Sequence, residues 1–295
     1  MEAALFEQWA QVALADCEEA LDHLVPVAAP AGLGAAMRYA VLAGGKRLRP
    51  LLVLAACEAV GGDRSAAIRA ACAVELIHAY SLVHDDMPCM DNDVLRRGKP
   101  TVHVQFGEAQ AMLAGDAMQA LAFEVLTPEE GMAPALQARL CALLARAAGF
   151  AGMAGGQAID LASIGQSLDE PTLRDMHRRK TGMLLQASVM MGAACGKASA
   201  ATLAALNDYG AAIGLAFQVV DDILDVTQES ATLGKTAGKD LHDNKPTYVT
   251  VLGLEPARQQ ARDLRLQALK ALSDSLLPDP ARLGLLADMV VERDS

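Results

Sequence analysis

Apolar residues recur at steps of three and four along most of this 295-residue chain, the spacing that lines one face of a helix. Composition presses the same way. Aromatic residues make up only 3%, while Ala, Leu and Met are abundant, and strands draw on aromatic and β-branched residues. Pro50, Pro100, Pro128, Pro171, Pro246, Pro256 and Pro278 stand between helical stretches or at their starts. No Ser/Gly linker, low-complexity tract or long internal repeat divides the chain. The expected fold is therefore all-α, one domain over residues 1–295, with roughly ten to twelve helices at ordinary helix lengths. Residues 51–60 and 183–195 are apolar nearly all round, so those helices belong in the middle of a large bundle.

The same composition narrows the function. A net charge of −11 argues against a nucleic-acid or anionic-membrane surface, which needs a basic face. Cys17, Cys57, Cys72, Cys89, Cys141 and Cys195 are scattered without CxxC pairing. They read as small core residues of a reducing compartment. The chain opens on an acidic amphipathic stretch rather than a signal peptide, and no apolar run is expected to approach the length of a membrane span. A cytoplasmic protein is expected.

Two acidic clusters interrupt this apolar background. Asp85-Asp86-Met87-Pro88-Cys89-Met90-Asp91 closes the segment from Ala66 to His84. His78, Ser81 and Asp85 share a helix face, whereas Asp91 would not in a regular helix. Pro88 should break the element and let Asp91 turn back. The second cluster is Asp221-Asp222-Ile223-Leu224-Asp225. Gln218, Asp221, Asp222 and Asp225 form one stripe beside an apolar stripe of Leu206, Ile213, Phe217, Val220 and Leu224. Carboxylates crowded on a core helix repel one another and resist desolvation. A hard cation is the simplest compensation, and oxygen-only ligands suit magnesium. Either cluster alone also reads as a solvated acidic turn. Two of them, each at the end of a core-like helix, suggest facing halves of one site, completed by magnesium bridging to a diphosphate.

A diphosphate needs cations, and this acidic chain places them nearby. Lys46, Arg47 and Arg49 lie in a glycine loop before a helix start, a favourable place for an anion. Arg96 and Arg97 follow the first cluster. Arg178, Arg179, Lys180 and Thr181 precede Gly182, and Lys235, Lys239 and Lys245 follow the second cluster. Singly, each reads as a surface cation. Around two metal motifs they suggest two phosphate pockets, one metal-bound and one purely basic.

With these residues in place, the sequence resembles the trans-prenyltransferases, the polyprenyl synthetase family, and most closely its bacterial farnesyl diphosphate synthases. The resemblance runs through Gly44-Gly45-Lys46-Arg47-Leu48-Arg49-Pro50, the block from His84-Asp85-Asp86 to Arg96-Arg97-Gly98, and Gly152 to Asp160. It continues through Lys180-Thr181-Gly182, Phe217 to Asp225, and Gly234-Lys235-Thr236. It implies the isoprenoid-synthase fold, a helical bundle around a deep cavity, usually as a homodimer. It also implies that Asp85, Asp86, Asp91, Asp221, Asp222 and Asp225 hold magnesium, three ions per site with diphosphate bound. Arg96, Lys180 and Lys235 would contact the allylic diphosphate, with Lys245 a further substrate-binding residue. Lys46, Arg49, His78 and Arg97 would bind isopentenyl diphosphate, and Thr181 and Gln218 would sit near the developing carbocation. Catalysis would thus rest on Asp85, Asp86, Lys180, Thr181, Gln218 and Asp221.

In the family, the residue five before the first aspartate acts as a floor for chain growth. Here it is Tyr80, with Ser81 beside it, about 7.5 Å along the helix from Asp85. A bulky ring there, with two extra residues inside the first motif, resembles the bacterial farnesyl pattern. The expected product is (2E,6E)-farnesyl diphosphate, with geranyl or geranylgeranyl diphosphate as alternatives. Ordinary core packing is the bland reading of Tyr80. A terpene cyclase would show a different second motif. A His84-Asp85 phosphohydrolase lacks further His ligands with supporting spacing, and a non-catalytic partner subunit typically loses aspartates that this chain keeps. Arg293 is a further candidate for the isopentenyl pocket.

Overall fold

The computed structural model describes residues 2–227 and 245–293. Lys235 and Lys239 lie outside the described residues. The chain begins with α1 (Glu2–Leu24), a short 3₁₀ turn, α2 (Leu33–Val41), α3 (Leu48–Ala59) and α4 (Arg64–Asp85). A two-stranded hairpin, β1 (Leu95–Arg96) with β2 (Lys99–Pro100), separates these from α5 (Val102–Phe106), α6 (Glu108–Leu126), α7 (Pro134–Ala148) and α8 (Met153–Ala162). Then come α9 (Glu170–His177), a π turn (Arg178–Gly182), α10 (Met183–Ala194) and α11 (Ala200–Thr227). The described residues close with α12 (Tyr248–Leu252), α13 (Leu254–Asp274) and α14 (Ala281–Val291). Fourteen α-helices thus stand among the described residues, more than the pattern suggested, because α5 and α12 are single-turn pieces too short to show a period.

The centre is formed by the helices expected there. Every residue of α3 except Glu58 is buried, and α10 packs against it with Leu184, Leu185, Val189 and Met191 inward. Around them lie α4, α6, α7 and α11, and the buried apolar side chains form one continuous cluster from α1 to α14. Tyr209, buried on α11, donates its hydroxyl to Leu283 O of α14 at 2.7 Å and ties the last helix to the core. Each fully buried Leu or Ile in this interior, such as Leu76 and Ile77, contributes about 1.5–3 kcal/mol.

One expectation is corrected. α4 and α11 are long and apolar enough to cross a membrane. Their Ala- and Leu-rich faces carry the average hydropathy even though charged residues interrupt the runs. Most of each helix is buried inside the bundle, where apolar surface is matched by neighbouring helices rather than lipid.

Local signals account for the ends that matter. Asp63 caps α4 by accepting from Ser65 N at 2.8 Å, a standard N-cap arrangement. At the other end, α4 stops at Asp85, just before Pro88. The chain then folds back, with Asp91 N donating to Asp85 O at 2.9 Å and Asp93 N to Asp86 O at 3.1 Å. The hairpin turn has positive φ at both central residues, Arg97 (53°) and Gly98 (73°), the conformation that matches strand twist in a two-residue loop.

Candidate active site

The two aspartate motifs end on the wall of one cavity of about 540 Å³, enclosed mainly by α4, α8, the π turn and α11. Asp85, Asp91 and Asp93 come from the first side, and Asp221, Asp222 and Asp225 from the second. Arg49, His78, Tyr80, Ser81, Arg96, Lys180, Thr181, Gln218 and Lys245 also line it. Tyr80 and Asp85 share this wall although they lie on different sides of an ideal helix.

Asp86 departs from its neighbour. It is 2% exposed and faces a smaller cavity of about 50 Å³ shared with His78, Arg96 and Arg97. Arg96 reaches from β1 to hold it with a fork of Nε and Nη2 contacts at 2.6–3.0 Å, a geometry only a guanidinium offers. Successive helical residues point about 100° apart, and with Arg96 on its far side Asp86 opens onto the smaller cavity while Asp85 stays on the wall of the larger one.

The π turn is the feature least expected from sequence. It inserts a wider, five-residue turn between α9 and α10, a distortion found often at functional sites. Two close backbone approaches hold it. A Cβ on Gly156 of α8 would collide with the backbone nitrogen of Lys180, and one on Gly214 of α11 would meet Gly182 Cα at 2.8 Å. These contacts bring Lys180 against Asp160 of α8, Nζ to Oδ2 at 2.6 Å. They also bring the Thr181 hydroxyl to Gln218 Oε1 at 2.9 Å.

Electrostatics in the cavity follow from burial. The Asp85 carboxyl is raised from 3.8 to about 6, first by burial, with Asp91 and Asp86 adding to the rise against Lys180 and Arg96. Burial is also the largest influence on Lys180 and opposes its charge, but Asp160 and Asp85 outweigh it and hold the ammonium above the ordinary lysine range. Lys245 crosses from the second side to Asp91, Nζ to Oδ1 at 2.9 Å. Arg49 is pushed down to about 10 by burial, while Glu75 and Asp221 pull it up. Beside it, burial first and then Arg49, Arg97, Arg96 and Arg47 hold His78 well below its ordinary range. His78 is therefore a neutral hydrogen-bonding group.

Several expected cations sit elsewhere. Arg47 is 5% exposed and turns inward to Glu18 (2.7 Å), Glu75 (2.6 Å) and the Val41 carbonyl, so it braces α1, α2 and α4 and its charge is taken up by the protein's own carboxylates. Arg178 and Arg179 pair with Asp175 at the surface. Arg97 bonds the Gly44 carbonyl and lines only the smaller cavity. Lys46 is exposed and lies within electrostatic reach of Arg293 and Asp221. Arg293 stacks 3.8 Å over the Phe217 ring and bonds Phe217 O (2.6 Å) and Asp221 Oδ1 (3.0 Å).

Two participants carry no assignment from sequence. Asp160 enters there only as the end of the Gly152–Asp160 stretch, although a lone acid on a small-residue helix is the signal that marks it. His177 had no spacing to recommend it, yet it lines the cavity, 3.4 Å from Asp222 Oδ2.

The order of these motifs along the chain is that of one known family, and the polyprenyl synthetase profile matches residues 30–275. The chain belongs to the polyprenyl synthetase family. It is a prenyltransferase with the isoprenoid-synthase helical bundle. Among curated relatives, the chloroplastic heterodimeric geranylgeranyl pyrophosphate synthase large subunit 1 of Arabidopsis thaliana is 49% identical over 270 residues, 88% of this chain and 73% of that one. The chloroplastic geranylgeranyl pyrophosphate synthase of Capsicum annuum is 48% identical over 279 residues, covering 94% and 76%. Among solved structures, an FPP/GFPP synthase from Zymomonas mobilis superposes with a TM-score of 0.86 at 42% identity, covering 99% of this chain and 100% of that one. A geranyltransferase from Helicobacter pylori complexed with magnesium and isoprenyl diphosphate gives 0.82 at 34% identity, covering 96% of each.

Proposed function

We propose that this prenyltransferase joins isopentenyl diphosphate to an allylic diphosphate and makes a short all-trans prenyl diphosphate. The observation that carries the reading is the single cavity with carboxylates from both motifs on its wall, cations between them and apolar residues beyond.

The residues present fit magnesium. The donors are carboxylate oxygens, and burial among other carboxylates makes the Asp85 charge costly until a cation arrives. Among the described residues, no three His, Cys, Asp or Glu side chains converge on one point. Magnesium with few protein ligands keeps waters and substrate phosphate oxygens, so Asp85, Asp91, Asp221 and Asp225 would hold it together with the diphosphate. When bound, it would neutralise charge on the departing diphosphate. Lys180, Lys245 and Arg96 hold the same group from the protein side, with Lys235 as a further candidate outside the described residues. Arg49, neutral His78, Lys46 and Arg97 are assigned to isopentenyl diphosphate. Thr181 Oγ1 and Gln218 Oε1 present oxygen to the allylic cation as it forms. The double bond of isopentenyl diphosphate attacks that cation, and the proton released goes to the departed diphosphate. The apolar wall holds the tail and keeps water from the cation.

Product length has two readings, each with its own support. The plant relatives named for geranylgeranyl products favour twenty carbons. Tyr80, 9% exposed on the cavity wall beside the first motif, favours fifteen. Kinship is the broader of the two supports. We assign the chain to one domain over residues 1–295, acting in the cytoplasm as a homodimer. The outward apolar residues Val104, Met112 and Leu113 on α5 and α6 offer a face for pairing. Incubation with magnesium, labelled isopentenyl diphosphate and dimethylallyl diphosphate, with products resolved by chain length, tests the reading. A prenyl diphosphate that vanishes on chelation and in Asp85→Ala supports it, and no condensation at all overturns it.

A further inference from the structure

Asp222 occupies the middle of the second motif, yet its surroundings differ from those of Asp221 and Asp225. It is 2% exposed. Gln218 Nε2 donates to its Oδ1 at 2.9 Å, and the backbone N–H of Tyr248 donates to its Oδ2 at 2.7 Å. Tyr248 is fully buried on α12, and its ring stacks on His177 at 5.6 Å and 22°. One carboxylate thus fastens α11, the start of α12 and the end of α9 to one another.

Its effect on Gln218 bears on the chemistry. An ionised carboxylate only accepts hydrogen bonds, whereas an amide has a donating and an accepting end. With Asp222 at one end, Gln218 must turn its NH₂ there and its Oε1 the other way, where the Thr181 hydroxyl donates to it. Gln218 and Thr181 both line the cavity. The end of the amide dipole at the cavity is therefore its negative end, the one a carbocation requires. Reversed, the same amide would present donors and oppose positive charge.

We propose that Asp222 is a positioning residue rather than a magnesium ligand: it fixes the Gln218 amide with oxygen toward the reacting carbon and anchors α12 through the Tyr248 N–H. The proposal rests on the prenyl-transfer reading above. Asp222→Asn supplies an amide that cannot accept at both ends, so Gln218 is no longer held in one orientation. The expected loss in kcat is about a hundredfold to a thousandfold, the range seen when one oriented transition-state dipole is removed.

The test compares Asp222→Asn with Asp221→Asn, using steady-state kinetics and calorimetric binding of an alkyl bisphosphonate with magnesium. Asp222→Asn should lose kcat but keep magnesium-dependent bisphosphonate affinity near that of wild type, while Asp221→Asn weakens it. Gln218→Leu should cause a similar loss in kcat, and the double variant little more, because the two residues act as one unit. Equal loss of bisphosphonate affinity in both aspartate variants, or multiplying losses in kcat, overturns the proposal. Should Asp222→Asn fail to fold, the wild-type protein still decides. Hydrogen exchange at the Tyr248 amide should stay slow when magnesium and bisphosphonate bind, and faster exchange would mean that the carboxylate has left it for the metal. A wild-type protein without prenyl transfer would count against the function and leave the exchange result standing.

Discussion

Asp85→Asn should make the metal-free protein more stable while disabling it. In the folded state the Asp85 carboxyl holds its proton up to about pH 6, against 3.8 ordinarily, chiefly because it is buried. The folded state therefore binds this proton more tightly than the unfolded chain. Stability is greatest below the unfolded value and is lost as pH rises from about 4 through about 6. At ~1.4 kcal/mol per pH unit, the ceiling on that loss is about 3 kcal/mol. The side chain opens onto the cavity, where solvent screens it, so about 1–2 kcal/mol is expected. With an unfolding entropy of ~2.1 cal/mol/K per residue over 295 residues, that is about 2–3 °C in Tm. Calorimetric melting in chelator should show Asp85→Asn above wild type by this margin at about pH 8 and level with it near pH 4. Magnesium with a bisphosphonate should reverse the order, since only wild type gains the cation. Equal melting temperatures at both pH values in chelator would refute the assignment of a costly buried charge to Asp85.

Three more outcomes are expected. Tyr80→Ala should shift the product of the condensation assay towards longer chains, read by chromatography, since the phenol forms part of the cavity wall; an unchanged product would remove Tyr80 from the floor. Gly156→Ala should cost about 1–3 kcal/mol in denaturant unfolding and lower kcat, because its Cβ displaces the backbone at Lys180. Arg47→Met should cost about 3–5 kcal/mol by leaving Glu75 buried without its partner, and adding Glu75→Leu should recover part of that loss.

The helices were legible because burial on one face imposes a period, and the core position of α3 and α10 followed from their lack of a polar face. The return of Asp91 was legible from Pro88, whose ring ends a helix by steric necessity. Other features depend on direction in space, which sequence order does not encode. Asp85 and Asp86 are equivalent in a motif but face different cavities, because Arg96 holds Asp86 on the far side of the helix. Arg47 belongs to a basic loop by sequence, yet its guanidinium goes to Glu75, a partner identifiable only once α4 is placed beside that loop. The Tyr248 N–H on Asp222 is a backbone contact, so no residue type announces it. The span-like character of α4 and α11 arose from composition that charged residues interrupt without offsetting.

The π turn at Arg178–Gly182 has a consequence for how this stretch can vary. The wider turn brings Lys180 and Thr181 together to the cavity, against the backbone approaches of Gly156 and Gly214. The wider turn is in effect one additional residue held in place by its neighbours. Substitution at the outward Arg178 should be well tolerated, but a change in length should not. Deleting one residue here would let the helix close to its ordinary pitch and carry Lys180 off the wall it shares with Asp85. Within this family, lineages that diverge freely in residue identity at this turn should still agree on its residue count.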